Sequence, residues 1–141
     1  MFPASINLIL TNNNKAGGLL LANTNNIKSY FFNKNEFEIL AQKILLEENI
    51  ELICLAGFMQ ILSNNFVKNW QNRIINIHPS YLPYFKGLSA QNQAIKAKVG
   101  YSGCTVHYVN SEIDDGEIIL QKKVLINENE NTESLSKKIL K

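Results

Sequence analysis

Asn76 and His78 stand two residues apart in the run Asn76-Ile77-His78-Pro79-Ser80-Tyr81-Leu82-Pro83, where an apolar stretch ends, and Gly87 follows four residues beyond it. Side chains along a strand alternate with period two, so an amide and an imidazole at this spacing share one face and can reach one substrate oxygen. The amide can donate a hydrogen bond there. The imidazole can donate when protonated, and histidine is the side chain whose charge is most easily tuned near neutral pH. An acidic turn further on, Asp114-Asp115-Gly116, could hold the imidazole in a fixed tautomer or charge state, directly or through water. Pro79 and Pro83 fix the chain direction beyond the pair, because each locks its own φ and pushes the preceding residue towards extended geometry. Taken singly, each group has a structural reading: Asn76 ends a strand, His78 is a satisfied core histidine, Asp114 is a turn residue. Taken together they point to an enzyme.

The elements that must position these groups alternate between strand and helix. Residues 6–11 are a compact apolar run ending in three asparagines, the pattern of a buried strand feeding a turn. Residues 16–22 read as a short helix and 29–32 as a second strand. Asn35 with Glu38 is a capping-box signal, and Phe37, Leu40, Ala41, Ile44 and Leu45 then follow the i, i+3, i+4, i+7, i+8 rule of one buried helical stripe. Strands are expected at 52–56, 74–77, 104–109 and 118–125, and helices at 64–70, 89–98 and 132–140, the last capped by Asn131 or Thr132. Such alternation predicts an α/β fold with a mostly parallel, twisted sheet covered by helices on both faces.

Composition narrows the class further. With 141 residues the chain is expected to be one domain, small for an open α/β sheet. The net charge of +2 is near neutral and Lys122-Lys123 and Lys137-Lys138 are the only lysine pairs, so no nucleic-acid stripe is visible. Cys54 and Cys104 sit inside apolar strand-like runs without metal-ligand spacing, which predicts buried free thiols in a reducing cytoplasm. The N-terminal residues lack the pattern of a signal peptide, and no run approaches the ~20 apolar residues of a membrane span, so a soluble protein that binds no membrane is expected. The asparagine-rich stretches, residues 12–14 and 127–131, read as loop composition.

Four words in order carry a resemblance: Leu55-Ala56-Gly57-Phe58-Met59-Gln60-Ile61-Leu62-Ser63, Asn76-Ile77-His78-Pro79-Ser80, Gly103-Cys104-Thr105-Val106-His107 and Asp114-Asp115-Gly116. They resemble the core of glycinamide ribonucleotide formyltransferase. Formyltransferases acting on other amines share an Asn-x-His and a later Asp, but not usually the Gly-Phe-Met and His-Pro-Ser wording. The resemblance implies a Rossmann-like formyltransferase fold and transfer of a formyl group from 10-formyltetrahydrofolate to the amine of glycinamide ribonucleotide in de novo purine biosynthesis. It implies small-molecule partners, no metal, and allows a homodimer.

Formyl transfer to an amine passes through a tetrahedral intermediate whose oxygen is negative, so a site needs donors aimed at that oxygen and a route for the amine proton. By resemblance the catalytic set is Asn76, His78 and Asp114, with Asp114 holding His78 and helping to move the proton towards the leaving folate nitrogen. Thr105 and His107 match positions that line the site near the substrate amine, although a histidine in an alternating strand can equally be packed. Met59, Gln60, Ile61 and Leu62 resemble one wall that receives the pteridine ring, and Asn110, Ser111, Glu112, Ile113 and Asp114 the other. Asn76 and Lys34 complete the folate side. Ile61 and Leu62 can also be core.

Departures from the family sit at both ends and over the site. Relatives begin with a strand and a Gly-x-Gly-Ser-Asn loop that cradles the substrate phosphate; here residues 6–13 look like the family's second strand and its turn. The chain is therefore expected to be an incomplete formyltransferase domain, truncated at both ends, with its last helix stopping at Lys141. Gln60 stands where relatives are usually basic, and Ser89 and Gln91 where they often carry histidines. A non-catalytic remnant retaining the folate half, or a formyltransferase for another amine, are the competing readings.

Overall fold

A computed structural model describes residues 3–141. The chain divides into two compact units, Met1–Glu51 and Leu52–Lys141. The first holds strand β1 (Leu8–Thr11), helix α1 (Gly17–Thr24), strand β2 (Lys28–Phe31) and helix α2 (Phe37–Glu47). β1 and β2 pair in parallel, Leu8 opposite Lys28 and Thr11 opposite Phe31. Helix α1 is the crossover that parallel neighbours require, and it packs on both strands. The expected stripe of α2 is present: Phe37, Ala41 and Leu45 are buried, with Leu40 and Ile44 half-buried beside them. The capping box expected at Asn35 is not how this helix starts. α2 begins behind Glu36, whose side chain makes no cap bond, so the box lies one residue too early.

The second unit holds β3 (Ile53–Leu55), α3 (Asn64–Asn69), β4 (Ile74–His78), α4 (Ala90–Lys96), β5 (Tyr101–Tyr108), β6 (Ile118–Leu125) and α5 (Thr132–Ile139). Its sheet has the order β3-β4-β5-β6. β3 and β4 are parallel, whereas β4–β5 and β5–β6 are antiparallel. The α/β class is as expected, but among the described residues only two of the four strand pairings are parallel. For β5 and β6 the reason is the linker: residues 109–117 are too short for a parallel crossover, which needs about a dozen residues or more. Gly103 on β5 is required by this pairing, because a Cβ there would come within 2.1 Å of the Lys122 carbonyl oxygen.

Leu62, Phe66, Val67, Trp70, Ile74, Leu82, Ala90, Ala94 and Leu135 form the buried apolar core of this unit. The Arg73 guanidinium covers the Trp70 ring at 4.4 Å. Cys54 departs from expectation: it is exposed, because alternation along β3 turns it away from Ile53 and Leu55, and Cys104 is half-buried. No helix among the described residues is long and apolar enough to cross a membrane.

Asparagine does more than fill loops. Asn26, Asn49 and Asn72 take left-handed backbone conformations just past α1, α2 and α3, and Lys98 does so past α4. After α1 and α2 the following isoleucine closes the helix: Ile27 donates its N–H to Ala22 O at 2.8 Å and Ile50 to Leu45 O at 2.9 Å. This is the Schellman arrangement, which favours a residue able to adopt positive φ, and asparagine supplies it where glycine is the commoner choice.

Of the two caps expected for α5, Asn131 and Thr132, the structure uses Asn131. Asn131 accepts from the Ser134 N–H at 2.9 Å while Ser134 Oγ accepts from the Asn131 N–H at 3.1 Å. Lys138 from the last turn binds Glu130 and holds that carboxyl below its usual pKa. Asn131→Ala is expected to lower the unfolding free energy by about 1 kcal/mol in a denaturant titration, with Asn131→Gly costing only a few tenths.

Candidate active site

Antiparallel register builds the site. Asn76 on β4 lies opposite His107 on β5, and His78 lies opposite Thr105. Directly opposed residues point to the same face, so two strands supply a block of four polar side chains. The β5–β6 connection then folds back over it. Gly116 lets that connection pass the strand end, since a Cβ there would lie 1.7 Å from the Tyr108 carbonyl oxygen. Two residues earlier, Asp114 takes φ 47°, a left-handed conformation that aspartate tolerates better than most residues.

Asp114 is where the block converges. Its Oδ2 accepts from the Gly87 N–H at 2.8 Å and lies 3.2 Å from His78 Nδ1. Its Oδ1 lies 3.4 Å from Asn76 Nδ2 and 3.5 Å from His107 Nε2. The carboxylate is only 11% exposed, and the two imidazoles are more deeply buried still. A buried carboxylate costs several kcal/mol unless donors meet it, and the Gly87 N–H does so at short range on Oδ2, with Asn76 Nδ2 at longer range on Oδ1.

The outer nitrogen of each ring fixes its tautomer. His78 Nε2 is 2.9 Å from Phe85 O and His107 Nδ1 is 2.8 Å from Tyr108 O. A carbonyl only accepts, so each of these nitrogens carries a proton. Neutral His107 then presents a lone pair at Nε2, which faces Asn76 Nδ2 at 3.3 Å. His78 meets the Asp114 carboxylate through Nδ1.

Two kinds of contact can be told apart by length. Those holding Asp114 Oδ2 and the outer ring nitrogens run from 2.8 to 3.2 Å. Those among Asn76, His107 and Oδ1 run from 3.3 to 3.5 Å, longer than a good hydrogen bond. The Oδ1 side is therefore the more loosely held side of the carboxylate.

The segment after β4 forms the third wall. Ser80 Oγ donates to Tyr84 O at 2.6 Å, which closes a turn; Phe85 and Gly87 follow with φ of 58° and 76°. The turn aims Phe85 O at His78 and the Gly87 N–H at Asp114, and Lys86 pairs with Asp115 beside them. A surface depression is lined by Lys86, Gly87, Glu112, Ile113 and Asp115.

Other expected site residues fall in different places. Asn110 turns its own loop by accepting from the Glu112 N–H at 3.0 Å, Ser111 is exposed, and Ile113 offers an exposed apolar side chain. Met59 and Ile61 are exposed on the stretch between β3 and α3, Gln60 is half-buried, and Leu62 is buried in the core. None of these four lines the depression. Lys34 is exposed on the β2–α2 loop of the first unit. Thr105, expected beside a substrate amine, has no accessible surface. Its hydroxyl donates to Ser80 O at 2.8 Å and accepts from Leu82 N at 3.1 Å and Gln121 Nε2 at 3.0 Å. One proton and two lone pairs are then all used, so Thr105 sits behind the site and not in it. Phe85 O and the Gly87 N–H went unanticipated because backbone groups leave no side-chain signal in a sequence.

A carboxylate met by two imidazoles, an amide and a backbone N–H, carried by an α/β sheet, has the groups that acid–base chemistry requires. The chain belongs to the formyl transferase family, whose sequence pattern it matches over residues 2–141. It is 42% identical over 140 residues to the trifunctional purine biosynthetic protein adenosine-3 of Gallus gallus, covering 94% of this chain and 14% of that protein. With the phosphoribosylglycinamide formyltransferase of Bacillus subtilis it shares 42% identity over 114 residues, 81% of this chain and 58% of the relative. The crystal structure of phosphoribosylglycinamide formyltransferase from Anaplasma phagocytophilum superposes with a TM-score of 0.93 at 45% identity, covering 96% of this chain and 66% of that one. The chain thus spans less than two thirds of each of these relatives.

Proposed function

We propose that this chain transfers a formyl group from 10-formyltetrahydrofolate to the amine of glycinamide ribonucleotide, in the cytoplasm, as a step of de novo purine biosynthesis. The convergence of Asn76, His78 and His107 on the Asp114 carboxylate carries this reading. The folate, when bound, supplies the formyl group. The exposed Ile113 and the polar edge of the depression beside Asp114 suit a flat ring with one polar margin, and Asn110, Ser111 and Glu112 lie on the same loop. Met59, Gln60, Ile61 and Leu62 are proposed to complete the folate side.

Asn76 is the donor for the formyl oxygen: its contacts at 3.3 and 3.4 Å are the ones a substrate oxygen can replace. His78, tied at Nε2 to Phe85 O, faces Asp114 through Nδ1, and its catalytic part in this reading is to hold that carboxylate in place beside the reacting groups. His107 Nε2 and Asp114 Oδ1 together offer acceptors to the proton that the amine loses as it bonds to the formyl carbon, and that proton passes on to the folate nitrogen as its own bond to the formyl carbon breaks. Incubating the purified chain with a 10-formyl folate and glycinamide ribonucleotide, and weighing the ribonucleotide by mass spectrometry, is expected to show one added formyl group. An Asn76→Ala protein should form it about 10²-fold more slowly, the loss typical of one oxyanion donor. Equal rates for the two proteins would overturn the role of Asn76, and a wild-type rate no faster than buffer would overturn the activity.

A further inference from the structure

We infer that Gln121, on β6, is a positioning residue for the site. This rests on reading Asn76, His78 and Asp114 as the catalytic groups. Gln121 has no contact with any of them, yet its amide reaches the wall that orients two. From Nε2 it donates to Leu82 O at 2.8 Å and to Thr105 Oγ1 at 3.0 Å. Thr105 in turn ties Ser80 O and the Leu82 N–H to β5.

Three polar groups of the segment after β4 are therefore fixed to the sheet through one amide and one hydroxyl: the Ser80 carbonyl and both backbone groups of Leu82. Ser80 passes the constraint on, because its own hydroxyl binds Tyr84 O at 2.6 Å. The next residue supplies the carbonyl that holds His78 Nε2, and the residue two further on supplies the N–H that holds Asp114 Oδ2. Every bond in this path is between 2.6 and 3.1 Å, shorter than the contacts on the reactive side of Asp114. The node is rigid where the site is loose. Ser80 and Thr105 are fully buried and Leu82 nearly so, so water is poorly placed to replace a lost donor.

Gln121→Leu removes both donors at similar volume and leaves Leu82 O without that partner. Thr105→Val removes the hydroxyl alone, and Thr105→Ser restores it. The readout is hydrogen exchange by NMR in the whole chain with 15N label, followed at the Gly87 amide and the His78 Nε2 proton. Both should exchange about ten-fold faster in Gln121→Leu and Thr105→Val, and at the wild-type rate in Thr105→Ser, with amides of β3 unchanged. Should Gln121→Leu not fold, the Val and Ser pair at position 105 decides the matter. Unchanged exchange at Gly87 and His78, or a uniform acceleration that includes β3, would reduce Gln121 to an ordinary core hydrogen bond. In the transfer assay Gln121→Leu should lower kcat about ten-fold and leave KM for the folate unaltered. Absence of turnover in the unsubstituted chain would count against the proposed reaction, while the exchange result would still stand or fall on its own.

Discussion

Asp114→Asn should lower formyl transfer by about 10²-fold or more while leaving the chain folded. The substitution keeps shape and volume but replaces one acceptor oxygen with an NH2 group. Oδ2 faces the Gly87 N–H and His78 Nδ1, and Oδ1 faces Asn76 Nδ2, so every orientation of the new amide sets a donor against a donor. If the NH2 turns to Oδ1's place, it opposes Asn76 on the reactive side. If it turns to Oδ2's place, the Gly87 N–H loses its acceptor, at a cost of about 1–3 kcal/mol. The check is steady-state kinetics beside a thermal melt. Near-normal kcat in a folded Asp114→Asn protein would show that the carboxylate has no part in the chemistry.

Gly116→Val is expected to be the most damaging single change to the fold, lowering stability by about 4 kcal/mol or more, in the range reserved for named structural faults. The first added carbon would lie 1.7 Å from Tyr108 O and 2.7 Å from its carbonyl carbon, so the backbone of the connection has to move away from the end of β5. Neither neighbour is a flexible side chain that could turn aside. The Tyr108 N–H bond to Glu117 O, 2.9 Å, lies beside the same crossing and should weaken with it. Urea titration of the variant measures the loss; a midpoint within error of wild type would mean that the loop can rise without cost. Because Asp114 rides on this connection, even the folded fraction should bind its substrate groups poorly.

Much of this arrangement could be read before any coordinates. The i, i+4 stripe of α2 and the Asn131 cap are local, and local patterns depend only on neighbours in the chain. Asn76 and His78 announced a shared face through strand periodicity, and both do reach one carboxylate. What stayed hidden is what pairing decides. The antiparallel turn of β4 against β5 sets His107 beside Asn76 and puts Thr105 behind the wall, and nothing in residues 79–100 signals that direction. The short β5–β6 linker did carry a signal, since its length alone excludes a parallel crossover. The left-handed backbone of Asn26 and Asn49 past their helices carries no clear cue in the sequence, because glycine is the usual mark of a helix end.

A carboxylate has two equivalent oxygens, and in water it interchanges them by rotating freely about one bond. Around Asp114 that equivalence is lost: a short backbone bond and His78 hold one oxygen, while the other meets only long contacts from Asn76 and His107. Rotation would have to break the short bond and the His78 contact together. The two positions therefore keep separate partners, and a proton reaching the Asn76 side of the acid meets one fixed oxygen.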